Sequence, residues 1–260
     1  MNLEQVTGMV LSAMPIGEYD KRVVILTKER GRISAFAKGA RRTNNAFMAC
    51  TQPFAFGNFT LYQGRNSYTL NGAEIQNYFD DIKGDIDKIS YASYFGEVAA
   101  YLTYENMEAI GILKLLYQSL KALNVEKIPN DLIRAIFELK ALTFNGEMPQ
   151  VFECVKCRRK QVDLHDVFYG GFSSRAGGMC CRECVETVPE PIKISPSTVY
   201  AIQYIVTSKV EKFITFLLED TSKEELCRVA KQYMSVFANG NFHSLEMLEI
   251  LSGTIEYSGK

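Results

Sequence analysis

A chain of 260 residues, 47% hydrophobic and 23% charged, can bury one large core or about two to three small ones, and this balance excludes a disordered chain or a fibrous repeat. No run is long and apolar enough to span a membrane. The early stretch GMVLSAMPIG has no basic residue before it, the first being Lys21, so a secretory leader is not expected and a reducing, cytoplasmic location is. The net charge of -1 hides an uneven layout: Lys21, Arg22, Lys28, Arg30, Arg32, Lys38, Arg41 and Arg42 stand against Glu29 alone, so this stretch carries +7 and the remainder -8. A local basic stretch of this kind marks a place for a polyanion.

In chain order, the first eighty residues alternate with a period of two between Gly, Asn and Pro breaks. Strands are expected near Thr7 to Met14, Lys21 to Thr27, Gly31 to Lys38, Phe54 to Gln63 and Ser67 to Gly72. KERGR at Lys28 to Arg32 and YQGRNS at Tyr62 to Ser67 have the charge and glycine of hairpin turns. No helix is long enough for a parallel crossover, so the strands should be mostly antiparallel, in an OB-like or SH3-like barrel. After FDDIKGD the period becomes helical. Tyr91, Tyr94, Phe95, Val98, Tyr101 and Leu102 share one face, and Ala109, Ile112, Leu113, Leu116, Leu120 and Leu123 form a second stripe. PND at Pro129 to Asp131 should start a third helix, ended by FNG at Phe144 to Gly146. Helical pattern returns after Pro196, and again behind TSKEE at Thr221 to Glu225, which reads as a capping signal.

Between these helices lies a loop-rich insertion with Cys154-x-x-Cys157 and Cys181-x-x-Cys184, separated by 23 residues. That is a little beyond the roughly 15 to 20 common in zinc ribbons, and a hairpin spans it. In a reducing compartment a disulfide framework is disfavoured, and no βαβ context supports a redox pair. Four thiolates supply a tetrahedral sulfur shell with no open position, hence a structural zinc rather than a catalytic one. A segment rich in Gly, Arg and Lys should bury little core of its own, whereas structural zinc contributes on the order of 10 kcal/mol to folding. Cys180 offers an alternative ligand register beside Cys181; Cys50 and Cys227 read as packing residues.

In GRISAFAK, alternation turns Ile33, Ala35 and Ala37 to one face and Arg32, Ser34, Phe36 and Lys38 to the other. Cations interleaved with an aromatic ring suit a single strand of nucleic acid, with charge for phosphates and a flat face for bases. Arg41 and Arg42 extend the charge into a loop, and Lys28 and Arg30 precede it in a turn. Elsewhere the chemistry is thin. His165 and His243 form no metalloprotease motif, GTIEYSGK at the C-terminus has the wrong spacing for a phosphate-binding loop, Asp80-Asp81 reads as solvated, and no nucleophile-base order stands out. An enzyme is therefore not expected.

The run GMVLSAMPIGEYDKRVVILTKERGRISAFAKGARR into QPFAFGNFTLYQGRNSYTLNGAE, the cysteine pairs flanking GGFSSRAGG and the late FHSLEMLEIL together resemble the RecO family of bacterial DNA repair proteins. The resemblance spans nearly the whole chain, and Gly17-Glu18, the Thr27 to Gly31 turn and Lys38-Gly39-Ala40-Arg41 are its most distinctive pieces. It implies an α+β chain: an N-terminal OB-fold-like barrel over residues 1–80, then an all-α domain over 81–260 with a zinc knuckle inserted at about 151–188. It further implies a non-enzymatic, nucleoid-associated recombination mediator that binds single- and double-stranded DNA and anneals complementary strands. Its expected partners are RecR and single-strand-binding protein, and RecA indirectly, through loading. The expected metal ligands are Cys154, Cys157, Cys181 and Cys184. The expected DNA-binding residues are Lys28, Arg30, Arg32, Phe36, Lys38, Arg41 and Arg42. The alternative function is a zinc-containing RNA-binding or ribosome-associated factor, for which so long a helical body has no evident use.

Overall fold

A computed structural model describes residues 3–64, 67–161, 168–212 and 216–251. The C-terminal GTIEYSGK lies outside the described residues, as do His165 and the centre of the expected Tyr62 to Ser67 turn. The chain divides into two compact units, Met1–Asn124 with Phe242–Lys260, and Val125–Asn241.

The first unit is built on β1 (Leu3–Ile16), β2 (Asp20–Thr27), β3 (Gly31–Ala37), β4 (Phe56–Gln63) and β5 (Tyr68–Asn77), closed into a barrel in the order β1-β2-β3-β5-β4. This is an OB-like arrangement. Strand alternation supplies the interior, where Val23, Ile25, Ile33, Ala35, Phe59 and Leu61 are fully buried. β1 exceeds its expected span because it serves two neighbours. Leu3 to Met9 pairs with β4 and Gly8 to Ile16 with β2, with a register shift between Val10 and Ser12. All pairings are antiparallel except that of β3 with β5, parallel at Ala35↔Tyr68 and Phe36↔Thr69. Gly31 opens β3 with φ 66°, and a side chain there would collide with the carbonyl oxygen of Tyr104. The KERGR glycine thus serves the turn and also lets a later segment dock, with Arg32 N–H donating to Tyr104 O at 3.2 Å.

The same unit carries two four-residue helices, α1 (Phe47–Cys50) and α2 (Asp80–Lys83), then α3 (Ile86–Tyr101) and α4 (Ile110–Ala122). Asp85 caps α3 by accepting the N–H groups of Asp87 and Lys88. The stripes expected from sequence face inward: Tyr94, Phe95, Val98 and Leu102 are buried, as are Ile112, Leu116 and Leu120. Tyr101 remains exposed. The last described helix, α8 (His243–Leu251), returns to α3: Ser244 donates its N–H and hydroxyl to Glu97, each at 3.0 Å, and Phe242 packs edge-on against Tyr94 and Tyr101.

The second unit contains α5 (Asn130–Phe144), a three-stranded sheet of β6 (Tyr169–Ser173), β7 (Gly178–Cys181) and β8 (Ile192–Lys193) in the order β7-β6-β8, then α6 (Pro196–Thr207) and α7 (Asp220–Phe237). α5 ends at Phe144 and is capped by Asn145, followed by Gly146 at φ 93°. Two expectations need correction. The cysteine insertion does bury a core: Phe172, Met179 and Cys180 are fully buried, and the Phe172 ring meets Tyr233 of α7 at 5.6 Å. Its apolar residues are few, but the hairpin is buried on both faces, with the consecutive residues Met179 and Cys180 both inside, which composition does not reveal. TSKEE is not a cap for its own helix, since α7 already begins at Asp220. Its Glu225 instead accepts Ser195 N–H at 2.7 Å and the Thr198 hydroxyl at 2.6 Å, at the N-terminus of α6.

Candidate metal centre and nucleic-acid interface

Two turns carry the cysteines. In the first, Cys154 N–H donates to Arg159 O and Arg158 N–H to Cys154 O, each at 2.9 Å, with Arg158 in the left-handed region at φ 61°. In the second, Cys181 ends β7, and Cys184 N–H donates back to Cys181 O at 3.0 Å before a 3-10 turn at Val185–Thr187. Val155 N–H donates to Met179 O at 2.9 Å and ties the turns together. The Sγ atoms of Cys154, Cys157, Cys181 and Cys184 all lie within 4.8 Å of one another, close enough to hold one metal ion. The Cys157–Cys181 sulfur separation is 3.8 Å. A tetrahedron with zinc–sulfur bonds of about 2.3 Å has an edge of about 3.8 Å, so the donor set fits zinc in both chemistry and size.

The surroundings favour thiolate at the first turn. Burial pushes the Cys154 thiol up, but the N–H groups of Cys157, Cys181 and Lys156 outweigh it and hold the group below its ordinary value. Cys157 is drawn down to about 6, chiefly by the Arg159 guanidinium, whose Nε lies 3.4 Å from its sulfur. Arg159 is itself oriented by an ion pair with Glu183. Cys184 is pushed up to about 12, chiefly by hydrogen bonding to the Cys181 sulfur. Cys180 stands apart: its thiol is directed to Gly178 O at 3.8 Å, and burial pushes it up to about 12. Cys50 is buried, and burial likewise pushes Cys227 up to about 12, consistent with packing roles.

The cationic candidates spread along β3 and both its ends. Seven strand residues span about 23 Å, so Lys28 and Arg30 at the hairpin are distant from Lys38, Arg41 and Arg42. Lys28, Lys38, Arg41 and Arg42 are exposed, and so is Phe36. Arg30 is held bidentately by Glu4, Nε to Oε1 at 2.7 Å and NH2 to Oε2 at 3.1 Å, so its charge is already matched. Arg32 donates Nε to Thr103 O at 2.9 Å and anchors the segment after α3. The basic loop is fastened to the β1–β2 turn. Gly39 N–H donates to Asp20 Oδ1 at 2.7 Å, Arg41 NH1 to Gly17 O at 3.2 Å, and the Arg42 guanidinium lies over the Tyr19 ring at 4.7 Å.

Two residues of this surface, Tyr19 and Glu105, are not among the sequence candidates, and a third, Arg22, belongs to the basic stretch but not to the expected DNA-binding set. Tyr19 underlies Arg42, and its aromatic type beside the Gly17 turn was the available signal. Arg22 faces outward opposite Phe36 across the β2–β3 ladder, a pairing that follows once the hairpin register is fixed. Glu105 arrives from the segment after α3 and accepts from the Tyr68 hydroxyl at 3.1 Å, for which no local signal exists.

The family models described as Recombination protein O N terminal and Recombination protein O C terminal match residues 1–79 and 83–246. DNA repair protein RecO of Acetivibrio thermocellus is 31% identical over 252 residues, covering 96% of this chain and 98% of the relative. The protein of the same name from Alkaliphilus metalliredigens is 34% identical over 241 residues, covering 92% and 96%. That of Halalkalibacterium halodurans is 28% identical over 244 residues, covering 94% and 93%.

Proposed function

The chain belongs to the RecO family of DNA repair proteins, and on that premise we propose that it is a DNA-binding recombination mediator that acts without nucleotide hydrolysis. It pairs complementary single strands, including strands coated with single-strand-binding protein, and assists RecA loading together with RecR. The observation that carries this reading is the exposed loop of Lys38, Arg41 and Arg42 fastened to a closed OB-like barrel beside the rings of Tyr19 and Phe36. Cations at fixed spacing neutralise phosphates, and exposed rings offer stacking surfaces without demanding a sequence. Arg41 uses one of its five donors on Gly17 O and keeps the others for phosphate.

Annealing in this reading needs no fuel. Two polyanions held on one cationic surface repel each other less and meet at raised local concentration, and each base-pair step formed then contributes roughly 1.4 kcal/mol. The four-cysteine site takes one structural zinc, which supplies a covalent-strength cross-link between the two turns and leaves no coordination position for substrate. The name shared by the relatives, DNA repair protein, disfavours the RNA-binding alternative.

The deciding measurement is the annealing rate of complementary single strands, bare and coated with single-strand-binding protein, with and without ATP. Annealing that is indifferent to ATP and slowed by joint substitution of Lys38, Arg41 and Arg42 is expected. A strict ATP requirement contradicts the mechanism, and annealing indifferent to the substitutions moves the DNA site off this loop.

A further inference from the structure

The outer face of the barrel opens into a cleft of about 360 Å³ whose lining includes Arg22, Ser34, Phe36, Tyr68 and Glu105. Its lining is more mixed than a phosphate track requires. Arg22 stands opposite Phe36 in the β2–β3 ladder and donates Nε to Ser34 Oγ at 2.8 Å, so a cation and an exposed ring lie side by side. Against them stands a carboxylate. Glu105 is brought there by a backbone bridge to Gly31, and its Oε1 accepts from the hydroxyl of buried Tyr68 at 3.1 Å. An acid in a groove built for phosphates alone would only repel its ligand. A carboxylate accepts hydrogen bonds and donates none, so what complements it is a group rich in N–H donors.

We propose that this cleft takes one unpaired base of a single strand, guanine by preference, with the ring against Phe36, the N1–H and N2–H donors on Glu105, and the adjoining phosphate toward Arg22. The inference rests on the proposed DNA-binding role of the barrel and adds a base preference to it. Among the four bases only guanine presents two adjacent N–H donors on its Watson–Crick edge, matching the two oxygens of a carboxylate. Adenine and cytosine present one amino group beside a ring-nitrogen acceptor, and thymine one N–H between two carbonyl oxygens that would face the acid. The Tyr68 proton on Oε1 fixes the carboxylate and still leaves lone pairs on both oxygens. The volume is at the lower end of the roughly 300 to 1,000 Å³ of small-ligand sites, which suits one nucleotide rather than a run. Stacking plus Watson–Crick edge contact is a general mode for reading splayed-out single-stranded bases. In a duplex that edge is engaged by cytosine, so the cleft also separates unpaired from paired strands.

The test uses the full chain and three fluorescent oligonucleotides of equal length: all thymine, the same with one central guanine, and the same with one central hypoxanthine, which lacks the N2 amino group. From the discrimination typical of a bidentate base contact, the guanine strand should bind about fivefold or more tightly than the thymine strand, with hypoxanthine between them. Glu105→Gln should bring the guanine-to-thymine affinity ratio close to one, and Tyr68→Phe should lower it in part. Arg22→Ala should weaken both strands alike. Equal affinity for all three strands, or a guanine preference that survives Glu105→Gln, overturns the base pocket while leaving DNA binding by the barrel in place. Absence of binding to every strand overturns both.

Discussion

Arg42 lies over the Tyr19 ring, whereas Arg30 of the same basic run is clasped by Glu4. A guanidinium over a ring keeps its N–H edge open to phosphate, while one in a bidentate carboxylate pair must give up that pair first. On the proposed reading, Arg41→Ala combined with Arg42→Ala should therefore flatten the log-log salt dependence of single-strand binding by more than about one unit, at roughly 0.7 per phosphate contact, and Arg30→Ala should change it much less. Titrating binding at several salt concentrations tests both. The sulfurs allow an equally local prediction. Purified protein should contain about one equivalent of zinc, Cys181→Ser should lose it, and Cys180→Ser should retain it, because only Cys181 has its Sγ in the cluster. Elemental analysis decides, and fully folded protein free of metal would sink the zinc reading. The residue types of both sites were legible in the sequence because Cys-x-x-Cys spacing and strand alternation act over a few positions. The partners Glu4, Tyr19 and Glu105 were not, since Glu4 lies 26 residues from Arg30 and Glu105 lies 37 from Tyr68, distances bridged by strand pairing and by the docking of the segment after α3 on Gly31.

α6 is stabilised at both ends by side chains from its neighbours. At its N-terminus Glu225 of α7 accepts Ser195 N–H and the Thr198 hydroxyl. At its C-terminus buried Lys140 of α5 donates to Val206 O at 3.0 Å and Ser208 O at 2.6 Å. An acid at the positive end and a cation at the negative end both complement the helix dipole. Burial raises the Glu225 carboxyl, but the hydrogen bonds from Ser195 and Thr198 outweigh it and hold it below the usual carboxylate range. With the folded value depressed, its stabilisation is fully present above the unfolded value of about 4.3 and is lost as pH falls through the folded value. Glu225→Ala should cost on the order of 1 kcal/mol at pH 7, as lost caps do, and the gap to wild type should narrow below pH of about 4. Denaturant unfolding at both pH values measures it. The helix itself is readable from Pro196 and its apolar period; its acidic partner is not, because TSKEE reads as a cap for the following helix α7, whereas its Glu225 acts on the preceding helix α6.

At the scale of the whole molecule, the cysteine cluster lies within Val125–Asn241 and the basic loop within the other compact unit. Stripping metal with a chelator should accordingly lower the thermal stability of the cysteine-bearing unit while leaving the salt dependence of DNA binding by the barrel close to that of the untreated protein. Calorimetry and binding on the same sample separate the two effects, and a parallel loss of both would argue that the cysteine segment takes part in DNA contact. Among the described residues no helix is long and apolar enough to cross a membrane.

The return of α8 to α3 makes the barrel-bearing unit discontinuous in sequence, with the whole of Val125–Asn241 made before its last helix exists. A ribosome adding roughly 5 to 20 residues per second needs on the order of ten seconds to cross that interval. Until Phe242 emerges, the Tyr94 ring it will help bury stays open on the nascent chain. The barrel's unit therefore begins folding first and is sealed last, so translation speed through the middle of the message sets how long an apolar helix face is exposed to chaperones and to other nascent chains.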